Sequence, residues 1–273
     1  MKTNAVVIWL ALLSAPMGAG AKVPPHRFFL TDSLVETIRS QPDTACYRLT
    51  SLRGRRIEVT AALDANPDSA ALHVLAPYQH AADSITSPVL GQCAAALTAY
   101  RPESPLSNFV ADALRRSSQN FGTQADIGLC NIGGLRAPIP QGTVTYGNIL
   151  ETCPFENHVV ILSLSGDLLM RLFNQIAAVG GEGISGASLE ISADGRLLSA
   201  AVGGSLVSPD STYTIATLDY LAEGNDKLTA LKEAVAVQAT QVTVRNLVAD
   251  YIRALAAQGQ SVVAETEGRI IIK

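Results

Sequence analysis

Three short stretches of the sequence carry the residue types that do recognition chemistry. The first, "CNIGGLR" (Cys130 to Arg136), sets an amide, two glycines and an arginine just past an apolar run. Gly133 and Gly134 let main-chain N–H groups come close to a ligand, because no Cβ stands in the way. Asn131 offers both a donor and an acceptor, and Arg136 a planar fork suited to phosphate or carboxylate. The second stretch, "CPFEN" (Cys153 to Asn157), puts Phe155 at a loop tip, where it can present a flat apolar face. The third, "DYLAEGND" (Asp219 to Asp226), follows the strand-like "YTIATL" and carries Tyr220 and Asp226. Each also has an ordinary reading: a glycine turn with a solvated arginine, a core phenylalanine, a turn leading into a helix cap. Together they match the parts of a nucleotide. Aromatic faces suit the base, at about 1–3 kcal/mol per stacked base. Asp226 suits the diol, Asn131 a polar edge and Arg136 the anion.

Hydrolytic chemistry has no such footprint. The four histidines, His26, His73, His80 and His158, show no ligand spacing for a metal centre. There is no Gly-x-Ser-x-Gly elbow and no phosphate loop ending in Lys-Ser or Lys-Thr. The expectation is a chain with no metal site, no cofactor and no catalytic residue of its own.

These stretches need elements to hold them. The spacing predicts a helix over Asp68 to Ile85 and another started by Ser107 as its cap, with Phe109, Val110, Ala113 and Leu114 on one face. A buried strand is expected at Ile127 to Asn131, a short helix at Thr145 to Glu151 and a strand at Val159 to Ser163. A helix capped by Ser165 closes at Gly180-Gly181. Strands follow near Leu189 to Ser192, Leu197 to Val202 and Thr212 to Leu218, then a helix at Val242 to Ala256 and a final strand at Arg269 to Ile272. Further upstream come a helix candidate at Leu34 to Arg39 and strands at Tyr47 to Leu52 and Arg56 to Ala61. Strands and helices mix without a strict βαβ rhythm, which points to the α+β class.

Of 273 residues, 48% are apolar and 16% charged, enough for a well-buried core. The net charge of -4 gives no broad cationic field, which argues against nucleic-acid binding. Lys2, the apolar Ala5 to Leu13 and the small-x-small Ala19-Gly20-Ala21 have the form of a signal peptide over residues 1–21. The apolar run is too short for a membrane span, and none is expected later. A periplasmic or secreted protein follows. In that compartment Cys46, Cys93, Cys130 and Cys153 are free to form disulfides, and their spacings fit no zinc pattern.

Three separated segments carry a likeness: "RPESPLSNFVADALR" (Arg101 to Arg115), "ADIGLCNIGGLRAPIPQGTVTYGNILETCPFENHVVILSLSG" (Ala125 to Gly166) and "YTIATLDYLAEGND" (Tyr213 to Asp226). They resemble the C-terminal, substrate-specificity domain of the 5′-nucleotidase family, over about Leu90 to Lys273 and in the same order. The resemblance implies an α/β/β/α layered sandwich and nucleotide binding, in the service of phosphate-ester hydrolysis. It implies that Asn131, Gly133, Gly134 and Arg136 contact the nucleoside and phosphate side, that Phe155 and Tyr220 clamp the base, that Asp226 holds the ribose and that Gly186 lines the site. It also implies a domain at residues 90–273; the two strands and a helix read upstream of it are expected to form an extension at 22–89 that packs on it. Two departures stand out. Lys227 replaces a small residue of the family's Gly-Gly-Asp-Gly turn, and Pro102 stands where a family arginine is expected, with Arg101 one residue earlier. Upstream of Leu90 nothing resembles the family's metallophosphatase domain. The expectation is a substrate-binding half whose metals and chemistry come from a separate metallophosphatase subunit. The alternative is a periplasmic nucleoside or nucleotide-binding module with no catalytic partner.

Overall fold

The computed structural model describes residues 68–273, which lie in one compact unit. The signal segment and the elements expected at Leu34 to Arg39, Tyr47 to Leu52 and Arg56 to Ala61 lie outside the described residues. Helix α1 (Ser69–Thr86) starts at Asp68, whose Oδ1 accepts from the N–H groups of Ala70 and Ala71 at 2.8 and 3.1 Å. This is the helix expected from the spacing, but none of its residues is buried.

Strand β1 (Val89–Cys93) leads to α2 (Pro105–Ser117). The expected cap, Ser107, is instead the third helical residue. Ser104 is the cap, its Oγ accepting from Ser107 N at 3.3 Å, while Ser107 Oγ accepts from Ser104 N at 3.2 Å. A serine at each end of this reciprocal box, with Pro105 pre-set for the first turn, explains the shifted start. Next come β2 (Ile127–Cys130), β3 (Gly142–Thr145), α3 (Tyr146–Thr152), β4 (His158–Ser165) and α4 (Gly166–Ala178). Strands β5 (Gly183–Ser185), β6 (Ala187–Ile191), β7 (Leu197–Val202), β8 (Ser205–Leu206) and β9 (Thr212–Leu218) follow. The chain closes with α5 (Asp219–Ala222), β10 (Ala236–Thr243), α6 (Val244–Ala257) and β11 (Ile270–Ile272).

The α+β class holds. Five strands pair in the order β10-β4-β9-β2-β5, four in the order β11-β6-β7-β8, and β1 pairs with β3. In the central sheet β2 and β9 run parallel, whereas β4 is antiparallel to β9 and β5 antiparallel to β2. Helix α2 lies on β2 and β5, and α4 packs against β4, β9 and β7. Leu106, Val110 and Leu114 of α2, Leu169, Phe173 and Ile176 of α4, and Val248 and Ile252 of α6 are buried in one core. Burial of each such side chain contributes about 1.5–3 kcal/mol. Helix α2 sits unusually close to the sheet because Gly128 has no side chain: a Cβ there would lie 2.0 Å from the Ala111 carbonyl oxygen.

Candidate functional site

Strand register decides where the three stretches go. Cys130 is opposite Gly183, and Val159 is opposite Leu218; the parallel pair sets Gly128 beside Ala216. The C-terminal ends of β2 and β9 therefore share one edge of the sheet with the N-terminal starts of β4 and β5. Asn131, the Phe155 loop, Tyr220 and Glu182 all leave the sheet at that edge. Loops beyond the carboxyl ends of adjacent parallel strands are a recurring place for ligands.

Hydrogen bonds join these loops. Asn131 is 7% exposed, and its Nδ2 donates to Asp226 Oδ2 at 2.7 Å. Tyr220 Oη donates to the other carboxylate oxygen, Oδ1, at 2.9 Å. That bond to a carboxylate holds the Tyr220 phenol above its ordinary pKa. Asp226 and Lys227 have φ of 52° and 67°, the left-handed region that disfavours residues with a side chain. The departure at Lys227 thus falls on a backbone position that suits glycine. The turn keeps this geometry although it costs about 1–3 kcal/mol per residue.

Phe155 is 51% exposed and Tyr220 37%, so neither ring is a core residue. Phe155 borders a cavity of about 30 Å³ lined also by Asn131, Gly134, Cys153 and Asn157. Its loop is braced from α6: Arg245, itself 9% exposed, donates to the Pro154 carbonyl at 3.2 Å and to Glu156 Oε1 at 3.0 Å. His158 Nδ1, at the end of the same loop, lies 3.4 Å from Asp219 Oδ2 beside Tyr220. Arg136 is exposed; its guanidinium donates to the Gly133 carbonyl at 3.2 Å and its N–H to the Thr152 carbonyl at 2.9 Å. Gly133 is open to solvent, with nothing within 4 Å of a would-be Cβ. Gly134 is different: a Cβ there would sit 2.7 Å from Asn131 Oδ1, so the Asn131 amide depends on that glycine.

Gly186 is not brought to this edge. It follows β5 at the opposite end, three residues past Gly183 or about 10 Å along the strand. Its φ is +80°, and a Cβ would meet the Asp126 carbonyl oxygen at 2.1 Å and Arg115 Nε at 2.6 Å. A close backbone approach, not a ligand, accounts for that glycine. Cys93, Cys130 and Cys153 are free, buried thiols, so Cys130 and Cys153 are not bridged although both line the cavity. Desolvation drives the Cys130 thiol well above its ordinary value and Cys153 up to about 12.

The residue that sequence reasoning missed is Glu182. Its side chain is fully buried, one oxygen accepting from Ile132 N at 2.5 Å and the other paired with the Arg101 guanidinium. Burial pushes its carboxyl pKa up, against the opposing pull of the Ile132 N–H and Arg101; the nearby Asp226 charge raises it further. A carboxylate inside "GGEGIS", between a glycine turn and a buried strand, was the available signal. Arg101 itself reaches the site edge, with Nε donating to the Val179 carbonyl at 2.9 Å. Among the described residues no three His, Cys, Asp or Glu side chains are grouped to hold a metal ion. The donors among the described residues do not fit the metals of a metallophosphatase.

Comparison with known proteins gives the arrangement its relatives. Residues 84–233, more than half of the 273-residue chain, match the family model described as 5′-nucleotidase, C-terminal domain. Endonuclease YhcR of Bacillus subtilis is 29% identical over 164 residues, which are 57% of this chain and 13% of that protein. Protein UshA of Escherichia coli is 27% identical over 161 residues, 57% of this chain and 29% of that one. The crystal structure of a 5′-nucleotidase precursor from Thermus thermophilus superposes with a TM-score of 0.66 at 26% identity, over 74% of this chain and 43% of that chain. This chain thus spans less than half the length of each. The family match covers Asn131, Arg136, Phe155, Tyr220 and Asp226 alike, and the chain belongs to the 5′-nucleotidase C-terminal domain family.

Proposed function

We propose that this protein binds a nucleoside or nucleotide at the edge formed by Asn131, Phe155, Tyr220 and Asp226. In this reading it serves nucleotide catabolism as the substrate-binding half of a 5′-nucleotidase, in the periplasm or outside the cell. Phe155 and Tyr220 stack the base, Asp226 takes the ribose hydroxyls, Asn131 fixes a polar edge, and Arg136, Gly133 and Gly134 face the ribose-phosphate side. Phosphate-ester hydrolysis takes place at the metals of a metallophosphatase on another polypeptide.

The observation that carries the reading is the convergence of three loops, remote in sequence, on one linked Asn131–Asp226–Tyr220 cluster beside an exposed phenylalanine. Carboxylate and amide groups already aligned to each other are organised before a ligand arrives, which lowers the ordering cost of binding. The purified chain is expected to bind adenosine or AMP by isothermal titration calorimetry and to release no phosphate from AMP, with or without added divalent metal. Loss of Phe155 in Phe155→Ala removes one stacking face and is expected to weaken binding by about tenfold, the lower half of the range for one base stack. Heat from neither ligand, or clear turnover by the chain alone, rejects the reading.

A further inference from the structure

A buried carboxylate carries a large desolvation cost unless charge and hydrogen bonds compensate it, so its position needs a reason. Glu182 is 1% exposed and sits at the start of β5, on the same sheet edge as the candidate site. Its Oε2 takes the Ile132 N–H, the far half of the peptide unit that begins at the Asn131 carbonyl. Its Oε1 takes the Arg101 guanidinium, which is tied in turn to the Val179 carbonyl. The clamp grips the backbone at the residue whose side-chain amide points at Asp226. Asn131 has φ of -84° and ψ of 129°, and ψ is the torsion that the Ile132 N–H position fixes.

We propose that Glu182 is a positioning residue of this site: it fixes the Asn131–Ile132 peptide and so aims the Asn131 amide at Asp226, with Arg101 as its counter-charge. The inference rests on the nucleoside-binding reading above, and it adds a residue that touches no ligand. An ordinary buried ion pair would stabilise the fold in the same way whatever Asn131 does. A positioning residue acts only through Asn131, and this separates the two.

The test is a double-mutant cycle read by calorimetry with adenosine. Glu182→Ala is expected to weaken binding about tenfold in the natural background, the loss of one charge-assisted hydrogen bond's worth of positioning, but less than about twofold when Asn131→Ala is already present. Glu182→Gln keeps an acceptor for the Ile132 N–H and is expected to recover part of the loss. Equal weakening in both backgrounds, or no weakening in either, overturns the proposal. A ligand-independent measurement covers variants that fold poorly and a natural protein that binds nothing. In ¹H–¹⁵N spectra of the free protein, Glu182→Ala, which leaves the Ile132 N–H no acceptor, is expected to shift the Asn131 side-chain amide resonances, and Glu182→Gln to shift them less. Resonances unchanged from the natural protein overturn the positioning role, whereas absence of adenosine heat in the natural protein with shifted Asn131 resonances rejects the binding reading and leaves the geometry standing.

Discussion

The Asn131 amide depends on a glycine three residues along the chain. Gly134 has no room for a methyl group, because Asn131 Oδ1 would lie 2.7 Å from it. Gly134→Ala is therefore expected to push the amide off Asp226 and weaken adenosine binding several-fold, with little loss of stability since Gly134 is not buried. Comparing titration with thermal melting checks this; unchanged affinity would mean that the amide has no part in binding. Glu182 gives a pH prediction at the same scale. Its carboxyl pKa is raised in the folded chain above the ordinary 4.5. The native state then holds the proton more tightly than the unfolded chain does. The group's contribution to stability is full below the unfolded value and is lost as pH rises through the folded one. Glu182→Gln, which cannot ionise, lacks this loss. The variant's stability relative to the natural protein is expected to improve from about pH 4 to about pH 7, read by urea unfolding at both. No change between the two would show that the carboxyl is not desolvated. The Cys153 thiol, pushed up to about 12 by burial, is expected to resist alkylation at about pH 8 in the native protein and react once unfolded.

At the scale of elements, most of the chain was legible. Helices α4 and α6 follow a plain apolar stripe, and their caps, Ser165 and Thr243, stand just before it. The strands β4, β7 and β9 were read nearly to their ends. Strands β1, β3, β5, β8 and β10 were not. Strands β3 and β5 are four and three residues long, and β10, "AVQATQVT", is an edge strand exposed along most of its length, so no period-two burial marks it. Such strands are fixed by their neighbours, which local pattern does not record. Gly128 shows the same kind of tertiary control. It reads as a weak strand residue, yet it lets α2 sit on the sheet. Gly128→Ala forces a Cβ within 2.0 Å of the Ala111 oxygen and is expected to cost about 1–3 kcal/mol as the helix is displaced. A midpoint unchanged in urea unfolding would mean that α2 has room to give.

Across the whole molecule, the site residues were legible for a different reason from the fold. Periodicity located the strands, but nothing in spacing says that Asn131, Phe155 and Tyr220 leave the same sheet edge. The resemblance supplied that, and the register of β2, β9 and β4 gives its physical cause. Resemblance also placed Gly186 at the site, because a glycine after a helix matches by type; the sheet carries it to the other end. Glu182 escaped notice because its one local signal, a carboxylate between a glycine turn and a buried strand, does not say that it grips the Asn131–Ile132 backbone. Helix α1 keeps Leu72, Leu75 and Tyr78 exposed, and no helix among the described residues is long and apolar enough to cross a membrane.

The claim on which all of this depends is that Phe155 and Tyr220 hold a base between them. Saturation-transfer and intermolecular NOE measurements on the chain with bound adenosine read that contact directly. The account predicts transfer between the purine protons and both the Phe155 and Tyr220 rings, lost at each position in its alanine variant. Binding with no transfer to either ring, or with transfer to the Phe109 and Tyr251 pair between α2 and α6 instead, would contradict it.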